Sequence, residues 1–350
     1  MGVIGSRTGF SSYLLVRLAF GDVGARLVNL AFSVSLLGWF GINLNLFGLA
    51  AEGLVIEIFD SVPSSFGVMI AASFMITMTT LVGFRAINLV STLLIPVLIG
   101  IAISLFIAAS ASSITTTAGF GTTMSLGQGI SSIVGSIIIG AIIMPDITRF
   151  VRHSSGAWVT AGASYLVAQP CAMWVAGVAS YYLGDTDIIS IMLTLGLGLG
   201  AFAIVIAGSW VLNALNLYSA VLGITASFPA ISARVITILF GLVGVTTGLL
   251  NVLDSFVVFL FYLSVIFIPV AGVIIVDYWW VRPLVYSCKE VAPCQPLNIA
   301  GLAAWFLGAA AALAGSEALI PSITSVAALD AITVAALSYL LFSILTNGDQ

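Results

Sequence analysis

Charge is what this sequence has least of. Nine Lys and Arg and thirteen Asp and Glu are spread over 350 residues, 6% of the chain, beside a single histidine. A soluble globular domain carries about 25% charged residues, so a water-facing surface cannot be built from these. The few basic residues form no cluster that would hold nucleic acid, and a net charge of −4 says little about partners in so apolar a chain. Cysteine is also scarce. Cys171 follows Pro170 inside an apolar run and reads as packing, whereas Cys288 and Cys294 share a short polar loop and read as free cytoplasmic thiols. Their spacing fits no metal-ligand pattern, and His153 is far from them in sequence. The first residues, Met1-Gly-Val-Ile-Gly-Ser-Arg-Thr-Gly9, lack the pattern of a cleavable signal peptide. The apolar stretches hold no Ser–His–Asp set, no His/Cys/Asp/Glu cluster and no haem-ligand pair, which leaves an embedded enzyme little support and calls for no cofactor.

What the chain has instead is apolar length: 61% of its residues are hydrophobic. The runs are too long for barrel strands and do not alternate, so the expected class is an all-α integral membrane protein. Residues 1–22 are mixed and read as an interfacial segment ending at Gly21-Asp22. Ten spans follow, each near the ~20 apolar residues that a bilayer requires, at 25–50, 66–83, 87–110, 130–150, 157–182, 191–223, 235–250, 255–280, 298–314 and 326–345. The run Ile189–Phe228 exceeds one span and is expected to tilt or to extend past the membrane.

The basic residues fix an orientation for this layout. Arg7, Arg17 and Arg26 precede the first span, and Arg85 lies between the second and third. Arg149 and Arg152 lie between the fourth and fifth, Arg234 between the sixth and seventh, and Arg282 and Lys289 between the eighth and ninth. The alternate loops hold none, and carry Glu52, Glu57, Asp60, Asp185, Asp187, Asp254 and Glu317 instead. By the positive-inside rule the basic side is cytoplasmic, and both termini of the chain with it. Asp146 and Asp277 are the carboxylates nearest a span on that side. Three and five residues before Arg149 and Arg282, they read as ion pairs at helix ends rather than as proton carriers.

Polar residues inside the spans are expensive and demand an explanation. Ser35, Trp39 and Asn43 share one face of the first span, where Trp39 either packs or stacks on a ligand. Asn213 and Asn216 share a face within Gly208–Ala220, followed by Tyr218 and Ser219. Such a row either bonds helix to helix or lines a path for a small polar molecule. The fourth span holds Gly135-Ser136, Gly140 and Pro145, which suit close packing or a broken helix around a cavity. Gly196-Leu-Gly-Leu-Gly200 has no preceding strand and reads as helix packing rather than as a phosphate loop. Pro269-Val-Ala-Gly272 is expected to kink the eighth span, which ends in the aromatic anchor Asp277-Tyr278-Trp279-Trp280.

Four of these stretches resemble the nucleobase:cation symporter-1 family, the purine/cytosine permeases, and its cytosine-permease branch in particular. Gly38-Trp39-Phe40-Gly41 is similar to that family's third helix. Val134-Gly135-Ser136 with Pro145-Asp146-Ile147-Thr148-Arg149-Phe150 is similar to its sixth, and Trp210-Val-Leu-Asn213-Ala-Leu-Asn216-Leu-Tyr218-Ser219 to its eighth. Ile268-Pro269-Val-Ala-Gly272-Val-Ile-Ile-Val-Asp277-Tyr278 is similar to its tenth. The resemblance runs through essentially the whole chain in order. It implies a twelve-helix fold whose first ten helices form two inverted five-helix repeats, with the substrate near the midplane between broken first and sixth helices and the third and eighth.

On this resemblance the chain is a single transmembrane domain that begins as the family's second helix is ending, with the first two helices absent. Residues 1–22 are that end and a cytoplasmic segment, 23–110 the rest of the first repeat, 128–281 the second repeat and 297–346 the last two helices. The resemblance further implies that Trp39, with Phe40 beside it, stacks on a planar base. Ser136 and the backbone at Gly135 would bond its edge, and Asn213 would read its amide or amino groups, with Asn216 a turn away. Four positions depart from the family. Leu36 stands for a glutamine, Ile139 for the second serine of the sixth helix, and Val211 and Leu212 for hydroxyls that serve sodium-coupled members. Ser209 and backbone carbonyls are then the oxygens left for a cation, and no mid-membrane carboxylate carries a proton.

The function expected is a secondary active transporter that moves a nucleobase such as cytosine or a purine, or a related planar heterocycle, across the cytoplasmic membrane by alternating access. The coupling ion, proton or sodium, is left open. The alternatives are an amino-acid transporter of the same inverted-repeat fold and a truncated, non-transporting membrane protein. The expected partners are the small-molecule substrate and the lipid bilayer.

Overall fold

The computed structural model describes residues 1–59, 64–111, 124–185, 188–249, 255–283, 286 and 295–347. Among them all regular secondary structure is helical. The helices are α1 (Gly2–Thr8), α2 (Ser12–Phe59), α3 (Ser65–Val82), α4 (Phe84–Ala111), α5 (Leu126–Thr148), α6 (Ser154–Ala161) and α7 (Gln169–Leu183). They continue as α8 (Ile188–Thr194), α9 (Gly198–Ser227), α10 (Ala233–Leu249), α11 (Phe256–Val276), α12 (Ile299–Ser316) and α13 (Ala327–Asn347). A π-helical stretch, Gly162–Ala168, joins α6 to α7, and a second, Asp277–Val281, continues α11.

Among the described residues eight helical segments are long and apolar enough to cross a membrane, and two shorter apolar helices, Phe66–Val82 and Ala233–Leu249, fall at the remaining two of the ten expected positions. Leu89, Leu93, Leu166, Leu242 and Leu337 stand exposed on α4, the first π-helical stretch, α10 and α13. Apolar side chains turned outward from helices that satisfy their own backbone are what a hydrocarbon solvent selects. Cys171 is exposed too, rather than packed as its apolar setting suggested. Cys288, Cys294 and Lys289 lie outside the described residues.

Two helix boundaries depart from the expectation. The long run at Ile189–Phe228 does not tilt as one span: α8 ends, Gly196 takes φ +73, and α9 starts at Gly198. The glycine run there interrupts a helix instead of packing one. Conversely, α5 runs unbroken from Leu126 to Thr148 with Pro145 inside it, so the broken sixth helix implied by the resemblance is absent.

The chain groups into two compact units, residues 1–32, 122–162 and 255–350 in the first and 33–121 and 163–254 in the second. In the first, α11 packs against α5, α12 and α13. A Cβ on Gly135 would lie 1.7 Å from the Leu260 carbonyl oxygen, so the α5–α11 crossing tolerates only glycine there. Trp305 donates its indole N–H to the Ile266 carbonyl at 2.7 Å, and Phe32 stacks on Phe267 with ring centroids 4.6 Å apart.

The helical path of α2 breaks at Gly21, with φ 76 and ψ 174. Three carbonyls on its N-terminal side take outside donors: Leu18 from Arg282, Ala19 from the Asn298 amide, and Phe20 from the Asn298 backbone N–H. The N–H groups of Asp22 and Val23 go to the carbonyls of Gln295 and Pro296. Arg282 is itself gripped by Asp277, which is fully buried and accepts from its Nε and Nη2 at 2.8 Å each. Tyr286 and Tyr339 add their phenols to the same carboxylate at 2.5 and 2.7 Å. The expected Asp277–Arg282 pair is therefore present, and larger than a pair. Arg282 lies outside the spanning segment. Burial alone would lower its pKa, but the hydrogen bonds and charge of Asp277 outweigh that and raise it.

Asp146 departs from its expected role. Its carboxylate accepts from the backbone N–H and hydroxyl of Ser12, both at 2.8 Å, and so caps the start of α2, with no ion pair to Arg149. His153 is exposed at the N-cap of α6.

Candidate substrate site

Most of the candidate residues sit in the second unit, where α3, α9 and α10 pack on one another and on the part of α2 beyond residue 32. Their shared core includes Phe40, Leu44, Phe47, Ile76, Leu217 and Val221. Polar side chains stitch these helices together. Ser33 donates to the Ala220 carbonyl at 3.0 Å, Ser73 to Gly241 at 2.7 Å, and Asn45 to Gly248 at 3.0 Å. The Trp210 indole N–H reaches the Thr79 hydroxyl at 3.2 Å. These side chains bond helix to helix, which relieves the cost of burying them.

Asn213 is the exception. It is fully buried, and its Nδ2 donates to the Phe40 carbonyl at 3.1 Å, tying α9 to α2. Because a carbonyl only accepts, that contact fixes which end of the amide faces Phe40. Oδ1 is left pointing the other way, buried and without a hydrogen-bond partner. An unsatisfied buried acceptor costs about 1–3 kcal/mol and is uncommon enough to call for a reason.

The remaining candidates fall as follows. Ser209, Asn213 and Asn216 recur at helical spacing on α9 and share a stripe. Asn216 is part-exposed and makes no hydrogen bond among the described residues, whereas Ser209 is buried. Trp39 is part-exposed, and its carbonyl accepts the Asn43 amide at 2.9 Å. Phe40 is 1% exposed, its ring pressed on Gly244, so its carbonyl rather than its ring is what meets Asn213.

Gly135 and Ser136 lie in the first unit. Since α5 is continuous, the Gly135 backbone belongs to the helix and its small size is used against Leu260. Ser136 is part-exposed and donates to the Ile133 carbonyl at 2.7 Å. Among the described residues no group of three His, Cys, Asp or Glu comes together as a metal site. Nothing in the sequence marks the Phe40 carbonyl as a partner for Asn213, because a backbone acceptor carries no residue-type signal. Thr79 as partner of Trp210 was hidden for the related reason that threonine is common in spans.

The family of permeases for cytosine/purines, uracil, thiamine and allantoin matches residues 1–341. The chain is 26% identical to the cytosine permease of Escherichia coli (strain K12) over 99% of its own length and 80% of that protein. The cytosine permease of Escherichia coli O157:H7 matches at the same identity and coverage. Among solved structures, Mhp1, a nucleobase-cation-symport-1 family transporter in a closed conformation with bromovinylhydantoin bound, superposes with a TM-score of 0.80 at 19% identity over 99% of this chain and 82% of that one. The inward-facing conformation of Mhp1 gives 0.79 at 16% identity, with 99% and 81% covered. The fold is thus that of this transporter.

Proposed function

We propose, because the chain belongs to the family of permeases for cytosine/purines, uracil, thiamine and allantoin, that it carries a nucleobase or a related planar heterocycle across the plasma membrane by alternating access. It is a membrane permease and not an enzyme. The observation that carries the substrate assignment is the Asn213 Oδ1: a buried acceptor, oriented by Phe40, with no donor. A nucleobase offers ring N–H and exocyclic amino donors, and pairing one of them with this oxygen would recover the penalty of leaving it bare. Trp39 is the aromatic assigned to stack on the ring, worth roughly 1–3 kcal/mol by analogy with single-strand recognition. Asn216 is assigned to the rest of the edge. The basic loops face the cytoplasm on this reading. Val211 and Leu212 offer no hydroxyl beside Ser209, so uptake is expected to be unchanged when sodium is replaced by potassium.

The test is binding and uptake with a panel of cytosine, uracil, adenine, hypoxanthine, allantoin and hydantoin. Saturable binding of at least one is expected, weakened roughly tenfold or more by Asn213→Ala and by Trp39→Ala, from the magnitudes above. Affinity is measured per folded molecule, because loss of the Phe40 tie lowers the yield of folded protein without bearing on the site. Unchanged affinity in both variants would remove these residues from the site, and no binding of any planar heterocycle by folded protein would defeat the assignment.

A further inference from the structure

In the first unit, α5 and α13 begin and α12 ends around one cavity of about 170 Å³, whose lining includes Ser131, Phe261, Ser316, Ser322, Ser325 and Asp330. Its walls are closely held. A Cβ on Gly127 would lie 1.8 Å from the Ser325 carbonyl oxygen, so α5 and the turn before α13 touch backbone to backbone. Asp330 stands in the first turn of α13 and is 3% exposed. Its Oδ1 accepts from the backbone N–H and the hydroxyl of Thr324 at 2.8 and 2.6 Å, and its Oδ2 from the Ile323 N–H at 3.0 Å.

These donors are neutral, and no positive group joins them. The sequence has no Lys, Arg or His between Arg85 and Arg149, between Arg234 and Arg282, or between Lys289 and Gln350. The helices around the cavity, α5, α11, α12 and α13, therefore bring no basic side chain to it, and among the described residues Asp330 has no ion pair. Glu317, exposed at the end of α12, adds negative charge on the same side. Helix dipoles do not cancel the carboxylate. Two helix starts and one helix end leave about half a positive charge against a full negative one. A buried charge without a counter-ion is costly, and a mobile cation relieves that cost.

We propose that this cavity binds a monovalent alkali cation, coordinated by Asp330 and by hydroxyl oxygens of the serines that line it. Hard cations take oxygen ligands, and carboxylate and hydroxyl oxygens are what the lining supplies. One carboxylate balances one positive charge, whereas calcium sites gather several. An anion would meet the fixed charge of Asp330, and N–H groups at the two helix starts are already engaged. Gln128 gives its N–H to the Ser125 hydroxyl at 3.2 Å, and Ala328 gives its N–H to the Ser131 hydroxyl at 3.3 Å. A Cβ on Gly315 would stand 3.6 Å from Ser322 and 3.9 Å from Asp330 Oδ2, so the bare glycine keeps the space between those two groups clear. The volume admits an ion together with several of its waters. All these residues belong to the first unit, whereas Ser209 and Asn213 belong to the second, so this ion braces the junction of α5, α12 and α13 and binds without substrate.

The experiment is equilibrium binding of radioactive sodium to the full chain in detergent, in choline chloride at constant ionic strength and with no heterocycle present. One saturable site is expected. Asp330→Asn should weaken it roughly thirtyfold or more, the scale of losing a unit charge at contact distance in a partly solvated site. If that variant does not fold, Ser316→Ala/Ser322→Ala carries the test, since it leaves the three hydrogen bonds of Asp330 in place. A loss of roughly tenfold is expected there, each neutral oxygen being worth on the order of one hydrogen bond. Absence of saturable binding would overturn the proposal. So would binding within about twofold of wild type in Asp330→Asn or, where that variant fails to fold, in the serine pair. Loss of the site in Ser209→Ala with Asp330→Asn unaffected would place the ion on α9 instead and overturn it as well.

Discussion

Replacing Asp277 by alanine removes one carboxylate and four hydrogen bonds at once. Asp277 is fully buried, and Arg282, whose side chain is 22% exposed, would keep its charge with only the Leu18 carbonyl to receive it. Breaking a buried ion pair by deleting one partner costs about 3–5 kcal/mol, chiefly because the other charge is stranded. The Tyr286 and Tyr339 phenols lose their acceptor as well. These losses share one centre and do not add, so about 3–5 kcal/mol stands for the whole. Removing Arg282 in addition should recover part of it, giving a coupling of about 1–3 kcal/mol in a double-mutant cycle. Asp22→Asn supplies the contrast: its partner Arg17 is 47% exposed and the pair is worth about 0–1 kcal/mol. Denaturant unfolding in mild detergent, followed by tryptophan fluorescence, reads all four variants against wild type. An Asp277→Ala variant within about 0.5 kcal/mol of wild type, or an additive cycle, would refute the view that this carboxylate holds the joint at Gly21.

Three further outcomes are expected. Gly135→Ala should abolish or sharply reduce folded protein, because its Cβ would sit 1.7 Å from the Leu260 carbonyl oxygen, whereas Gly177→Ala meets nothing within 4 Å and should be neutral or stabilising, as yield by size-exclusion chromatography will show. Burial first, and then the charge and hydrogen bond of Asp277, push the Tyr286 phenol well above its ordinary pKa, so the folded state keeps a proton that the unfolded state releases. Stability should therefore fall as pH rises past about 10, and fall less steeply in Tyr286→Phe, which pH-resolved unfolding will test. In a cysteine-free background, a cysteine at Glu317 should react with an impermeant maleimide in intact cells while one at Arg152 should not; the reverse would invert the orientation.

The sequence by itself determined the class and the layout. A chain 6% charged has no solvent but lipid for ten apolar stretches, and where each stretch lies follows from run length alone. The candidate residues on α2 and α9 were visible because a polar side chain inside an apolar run is costly wherever it ends up. Which of those costs had been met was decided by the tertiary structure. Ser33 and Ser73 found carbonyls on other helices far along the chain, Trp210 found Thr79, and Asn213 was half satisfied by Phe40, leaving one bare oxygen.

The same division separates two glycine clusters that look alike in sequence. At Gly135 the deciding fact is a carbonyl more than a hundred residues away that no Cβ could pass, and at Gly196 it is a left-handed backbone that ends a helix. Asp146 and Asp277 likewise share the pattern of an acid a few residues before an arginine. One caps α2 through Ser12, and the other anchors Arg282 and two phenols. Spacing along a helix reports only neighbours on that helix, whereas the partner of a buried charge is chosen by whichever donors packing brings within about 3 Å of it.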